Sequence, residues 1–71
     1  MKPLQPSPLA SRRIALGLTQ HQIAERIGRV TQYVQKLEYG TIELKNITFE
    51  RAAQLATALE LTLDQLAKYM E

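Results

Sequence analysis

The chain has 71 residues, a formal net charge of +2, 45% hydrophobic side chains and no cysteine. That length holds one domain with a modest core, and the lack of cysteine excludes disulfides and thiolate metal sites. No apolar run approaches the roughly 18 residues of a membrane span, and no apolar signal core follows Met1-Lys2-Pro3, so a soluble protein of the cytoplasm is expected.

Residues 1–6, MKPLQP, carry two prolines and read as a flexible arm ahead of a single domain over 7–71. Ser7 followed by Pro8 is an N-cap with proline at the first helical position, which predicts a first helix from Pro8 to about Leu16, stopped by Gly17. Leu9, Arg13 and Leu16 share one face of it. An arginine therefore lies in an apolar stripe and needs a partner. Thr19 and Gln22 form a capping box that opens a second helix at Gln20. Ile23, Ala24 and Ile27 give this helix an apolar face, and Gly28 supplies a residue suited to positive φ at its end. A third helix from about Thr31 to Glu38 turns Tyr33, Val34 and Leu37 inward and Thr31, Gln32, Gln35 and Lys36 outward, with Gly40 as its stop. Two short helices joined through a glycine turn, over about 19–39, make a helix-turn-helix unit. Val30 is a poor cap for the third helix. Either Thr31 caps and the helix starts a residue late, rotating its outward face, or Val30 tucks into the core.

Beyond Gly40, Ile42, Leu44 and Ile47 alternate with Glu43, Lys45 and Asn46, the pattern of a short extended segment packed on the body. Thr48 caps a fourth helix to about Leu59, with Phe49, Ala52, Ala53, Leu55, Ala56 and Leu59 as a broad apolar face. Thr62 with Gln65 is a second capping box. It opens a fifth helix carrying Leu63, Leu66, Ala67 and Met70 on one side. The expected fold class is all-α, a compact bundle of five short helices.

Charge is uneven along this plan. Residues 1–36 hold six basic side chains against one acid, and residues 37–71 hold three against six. A basic half that contains the motif suits phosphates, and an acidic half suits protein or solvent. Nothing argues for catalysis: His21 is the only histidine, and it sits between Gln20 and Gln22 on an outward surface. Ser7 and Ser11 belong to the first helix, and Asp64 complements the dipole of the fifth. No enzyme, cofactor or metal site is expected.

For nucleic acid the physical case is direct. The second helix of such a unit fits the major groove, about 12 Å wide, and its first turn reaches base edges. Thr31 and Gln32 occupy that turn and Lys36 lies one turn further on. Gln32 suits the adenine edge, Lys36 the guanine edge, and Thr31 a thymine methyl or a donor. Tyr33 and Gln35 flank them. Gln20, at the positive end of the second helix, is placed to hold a phosphate, and Arg29, beside Val30, would then be exposed at the turn and near the DNA backbone.

Several residues agree with one known pattern: Gln20 opening the first helix of the motif, Ala24 where the two helices cross closely, Gly28 at the turn, Val34 and Leu37 in the second helix, and Leu37-Glu38-x-Gly40 closing it. Over about Leu9 to Leu66 the chain resembles the Xre family of phage repressors and Cro proteins. The resemblance implies a lambda-repressor-like domain that binds double-stranded DNA sequence-specifically. It also implies a transcriptional repressor working as a homodimer on an inverted-repeat operator, with half-sites about one helical turn, ~34 Å, apart. Residue by residue, it implies an ion pair between Arg13 and Glu38, with a phosphate contact as a second duty of Arg13. It places Lys45 and Asn46 in a loop that passes the DNA backbone, and it gives Leu63, Tyr69 and Met70 to the twofold contact. Core packing or a frayed terminus suits those last three residues equally. The chain departs from the family at Arg29-Val30, where Val and then a Ser or Thr cap are usual, at Glu60, where glycine is usual, and in a longer proline-free connection after Gly40. The alternative function in the same family is an antitoxin-type interaction module that neutralises a partner toxin and autoregulates its operon.

Overall fold

The computed structural model describes residues 7–70, and among them it forms five α-helices with no strand. Helix α1 spans Pro8–Ala15, α2 Gln20–Ile27, α3 Thr31–Tyr39, α4 Phe49–Ala58 and α5 Leu63–Ala67. The expected arm over 1–6 and the side chain of Met70 lie outside the described residues.

Four helices start as local chemistry dictates. Ser7 Oγ accepts from the Ala10 N–H at 3.2 Å and Thr48 Oγ1 from the Arg51 N–H at 3.1 Å. Thr19 with Gln22 and Thr62 with Gln65 close reciprocal boxes, each with bonds between 2.8 and 3.1 Å. These side chains satisfy amides that a first helical turn leaves without partners. Helix α3 is different. Val30 is its N-cap, makes no side-chain cap bond and is 67% exposed. Both expectations for Val30 therefore fail: the helix begins at Thr31, and the valine stays out of the core. The Val30 carbonyl already accepts from the Tyr33 N–H at 3.0 Å, so the backbone sets the helix start without help from the side chain. Val30→Ser, which adds the missing acceptor, is expected to stabilise the fold by about 1 kcal/mol. In a melt this reads as a rise of about 4–8 °C in the midpoint; an unchanged midpoint would contradict it.

Helices α1, α2 and α4 end alike. The N–H groups of Leu18, Arg29 and Leu61 reach back to the carbonyls of Arg13, Ala24 and Ala56 at 2.8–3.1 Å, each beside a bond at 2.9–3.2 Å from the preceding residue to the carbonyl three positions before it. This paired closure needs one left-handed residue. Gly17 and Gly28 supply it at φ 72° and 68°, while Glu60 supplies it at φ 58°. A left-handed residue with a Cβ costs about 1–2 kcal/mol. Two contacts oppose that cost: the Glu60 carbonyl accepts from Arg12 Nη2 at 3.1 Å, and its carboxylate lies 3.8 Å from Arg26. The α4–α5 turn closes without glycine.

The core gathers Leu9 of α1, Ile23, Ala24 and Ile27 of α2, Val34 and Leu37 of α3, Ala52, Leu55, Ala56 and Leu59 along α4, and Leu66 of α5. Helix α2 lies against both α3 and α4. Phe49, expected on the apolar face, is instead 76% exposed. The first turn of α4 overhangs the core, with Glu50 exposed and Arg51 half-buried beside it. The segment after α3 is not extended either. It coils into a 3-10 turn at Leu44–Asn46, because bonds from Asn46 to Glu43 and from Ile47 to Leu44 satisfy amides that have no strand to pair with. Ile42, Leu44 and Ile47 still pack on the core. Helix α5 is shorter than expected, tightening after Ala67 into a 3-10 turn over Lys68–Met70 that lays Tyr69 against the core.

Candidate nucleic-acid interface

Helix α3 is held by its inner face. Val34 and Leu37 are buried, and beside them the carboxylate of Glu38 is buried too. Arg13 Nε donates to Glu38 Oε2 at 2.7 Å, and Arg13 Nη2 donates to Oε1 at 3.2 Å. Gln20 Nε2 adds a third bond to Oε1 at 2.9 Å, while Arg13 Nη1 donates to the Leu18 carbonyl at 2.9 Å. One carboxylate thus ties the end of α3 to α1 and to the start of α2. The expected Arg13–Glu38 pair is present, with only 15% and 6% of the two side chains exposed. Every guanidinium nitrogen of Arg13 is bonded within the protein, which leaves its second duty at a phosphate without support. Gln20, read from sequence as a phosphate ligand, directs its amide to the same carboxylate.

Around α3 the remaining side chains sort into an outward centre and two flanks. Gln32 and Lys36, one turn apart, are exposed at the centre, and Tyr39 continues the line at 72% exposure. Tyr39 was not foreseen as part of this face. On the flank beside α2, Gln35 is half-buried, and Thr31 Oγ1 lies 3.2 Å from His21 Nδ1. On the flank beside α4, Tyr33 is half-buried against the core, as its inward assignment required. The guanidinium of Arg29 sits over its ring, 5.0 Å from the centroid, and that of Arg51 lies 5.4 Å away. Sequence reasoning missed Arg51, which stands in the acidic half of the chain. Only the packing of α4 on α2 brings its first turn, and Arg51 with it, within reach of Tyr33.

Lys45 and Asn46 are exposed in the 3-10 turn, but both lean on Glu43, at 3.5 and 3.4 Å. That carboxylate offsets part of the charge expected to pass a DNA backbone. The basic half of the sequence is likewise not a basic face. Arg12 donates to the carbonyls of Leu59 and Glu60, and Arg26 to that of Ala58, so both close the C-terminus of α4 and complement its dipole. Arg13 belongs to Glu38. Around α3, the cations without a carboxylate partner among the described residues are Arg29, Lys36 and Arg51.

No group of three or more His, Asp or Glu among the described residues is placed to hold a metal ion, and no described helix is long and apolar enough to cross a membrane. No curated protein and no solved structure matches the chain. A family model described as helix-turn-helix matches residues 9–66, the span from the first core residue of α1 to the last of α5. The chain therefore belongs to the Xre and lambda-repressor type of helix-turn-helix proteins, a family of DNA-binding regulators.

Proposed function

We propose that the protein is a sequence-specific transcriptional repressor that acts as a homodimer on an inverted-repeat operator, with α3 in the major groove. The observation that carries this reading is the outward face of α3. A buried inner side and the Glu38 network fix the helix, while Gln32 and Lys36 stand free one turn apart. In this reading Gln32 bonds an adenine edge and Lys36 a guanine edge. Thr31 has its hydroxyl near His21 and offers its methyl to thymine. Arg29, Lys45, Asn46 and the start of α2 at Gln20 meet phosphates, and Tyr33 and Gln35 border the read bases. A twofold contact through α5 would use Leu63, which is exposed at the surface, beside Tyr69.

Fluorescence anisotropy with the intergenic DNA upstream of the gene and with a scrambled duplex tests the reading. Wild type is expected to prefer its own upstream DNA by ~10³ or more. Gln32→Ala removes one bidentate base contact, and about 1–3 kcal/mol of discrimination goes with it. Equal weak binding of both duplexes by both proteins would reject readout through Gln32.

A further inference from the structure

Arg29 and Arg51 come from different elements and converge on one aromatic ring. Each is anchored by its own backbone: the Arg29 N–H closes α2 on the Ala24 carbonyl at 2.9 Å, and the Arg51 N–H bonds the Thr48 cap at 3.1 Å. The ring they share is seated on the core. The other three arginines all direct guanidinium nitrogens to a carboxylate or to carbonyl oxygens. These two have no such partner among the described residues, although like charges brought together repel and an acid would relieve them. A guanidinium over a ring uses its face there and keeps its in-plane N–H groups for an anion.

We propose that Arg29 and Arg51 together clamp one phosphate of the DNA backbone, on the flank of α3 next to α4, with the Tyr33 ring as the fixed stop that sets their spacing. The clamp rests on the DNA-binding reading above and adds Arg51 to it. A phosphodiester offers two non-bridging oxygens that share one negative charge, one oxygen for each fork, and so places an anion against the otherwise unrelieved pair. Such a contact fixes how α3 lies in the groove and carries no base information itself. Tyr33 is then a positioning residue.

The test is anisotropy with the full chain on a mixed-sequence duplex and on the upstream duplex, between about 50 and 200 mM salt. Arg51→Gln is expected to weaken both duplexes by the same factor and leave their ratio unchanged. The slope of log affinity against log salt should fall by about 0.9, so that affinity drops roughly threefold less over that range. Arg51→Lys, which keeps the charge, should retain the slope. Because Arg51 is half-buried, the exposed Arg29→Gln carries the same test if Arg51→Gln does not fold. The double variant should lower the slope by about 0.9 in total, the share of one phosphate. A fall of about twice that would show two separate phosphates and overturn the clamp, as would folded single variants with the wild-type slope. Arginine-dependent slopes without preference for the upstream duplex would uphold the clamp while removing the operator reading. No binding of either duplex by wild type would overturn both.

Discussion

Glu38→Ala is expected to lower the unfolding free energy by about 3–5 kcal/mol. A domain of 71 residues holds only about 4–10 kcal/mol in total, so most of the stability would go. The loss does not measure the worth of an ion pair. It arises because the Arg13 guanidinium, two of whose nitrogens face that carboxylate, would be left largely buried with only the Leu18 carbonyl, and Gln20 would lose its partner as well. Replacing both charges, as in Arg13→Met with Glu38→Leu, should recover most of the loss, because no uncompensated charge then stays inside. Glu38→Gln should fall between, keeping acceptor geometry without the charge. Urea unfolding followed by circular dichroism measures all three. A Glu38→Ala protein within about 1 kcal/mol of wild type would show that the apolar contacts of Val34 and Leu37 hold α3 unaided.

Leu66→Ala is the second large effect, with an expected loss of about 3 kcal/mol. Leu66 is 0% exposed and is the one buried residue of α5, a helix of five residues. So short a helix has no stability of its own. Its capping box through Thr62 and Gln65 orders the first turn, yet only the insertion of Leu66 among the core residues attaches that turn to the body. Truncation therefore removes burial and also leaves a cavity that the neighbouring leucines fill only in part. Leu66→Met, which conserves volume, should cost less than about 1.5 kcal/mol. Hydrogen exchange adds a second readout. If Leu66 belongs to the common core, amides of α2 and α3 lose protection in the alanine variant along with those of α5. Loss confined to α5 would make that helix a separately opening unit and contradict the expectation.

These two residues also show how legible the fold was. Leu66 could be read from spacing alone, because it stands one helical turn beyond a cap. Glu38 could not: its partner Arg13 lies 25 residues away, and the need for a partner was visible in the apolar stripe of α1 while its identity came only from the family resemblance. The outward line of Gln32 and Lys36 followed from helical periodicity, and it stands as read. Arg51 did not follow from anything local. Its approach to Tyr33 depends on the connection that turns α4 back onto α2, and that connection coils rather than extends. Phe49 misled for a related reason, since periodicity assigns a face to a residue without saying where the core ends.

Sequence by itself determined the helix starts at Ser7, Thr19, Thr48 and Thr62, the glycine closures at Gly17 and Gly28, and the inner face of α3. Each rests on groups within one or two turns of each other, whose hydrogen bonds and periodicity hold whatever the rest of the chain does. Tertiary structure alone decided where the charge goes. The free carbonyls at the end of α4 draw in Arg12 and Arg26, and the buried Glu38 draws in Arg13, so half of the basic side chains of residues 1–36 serve the fold. The docking of α4 then returns one cation, Arg51, to the flank of α3. A charge acts through distance in space and the dielectric around it, and neither is set until the helices have packed.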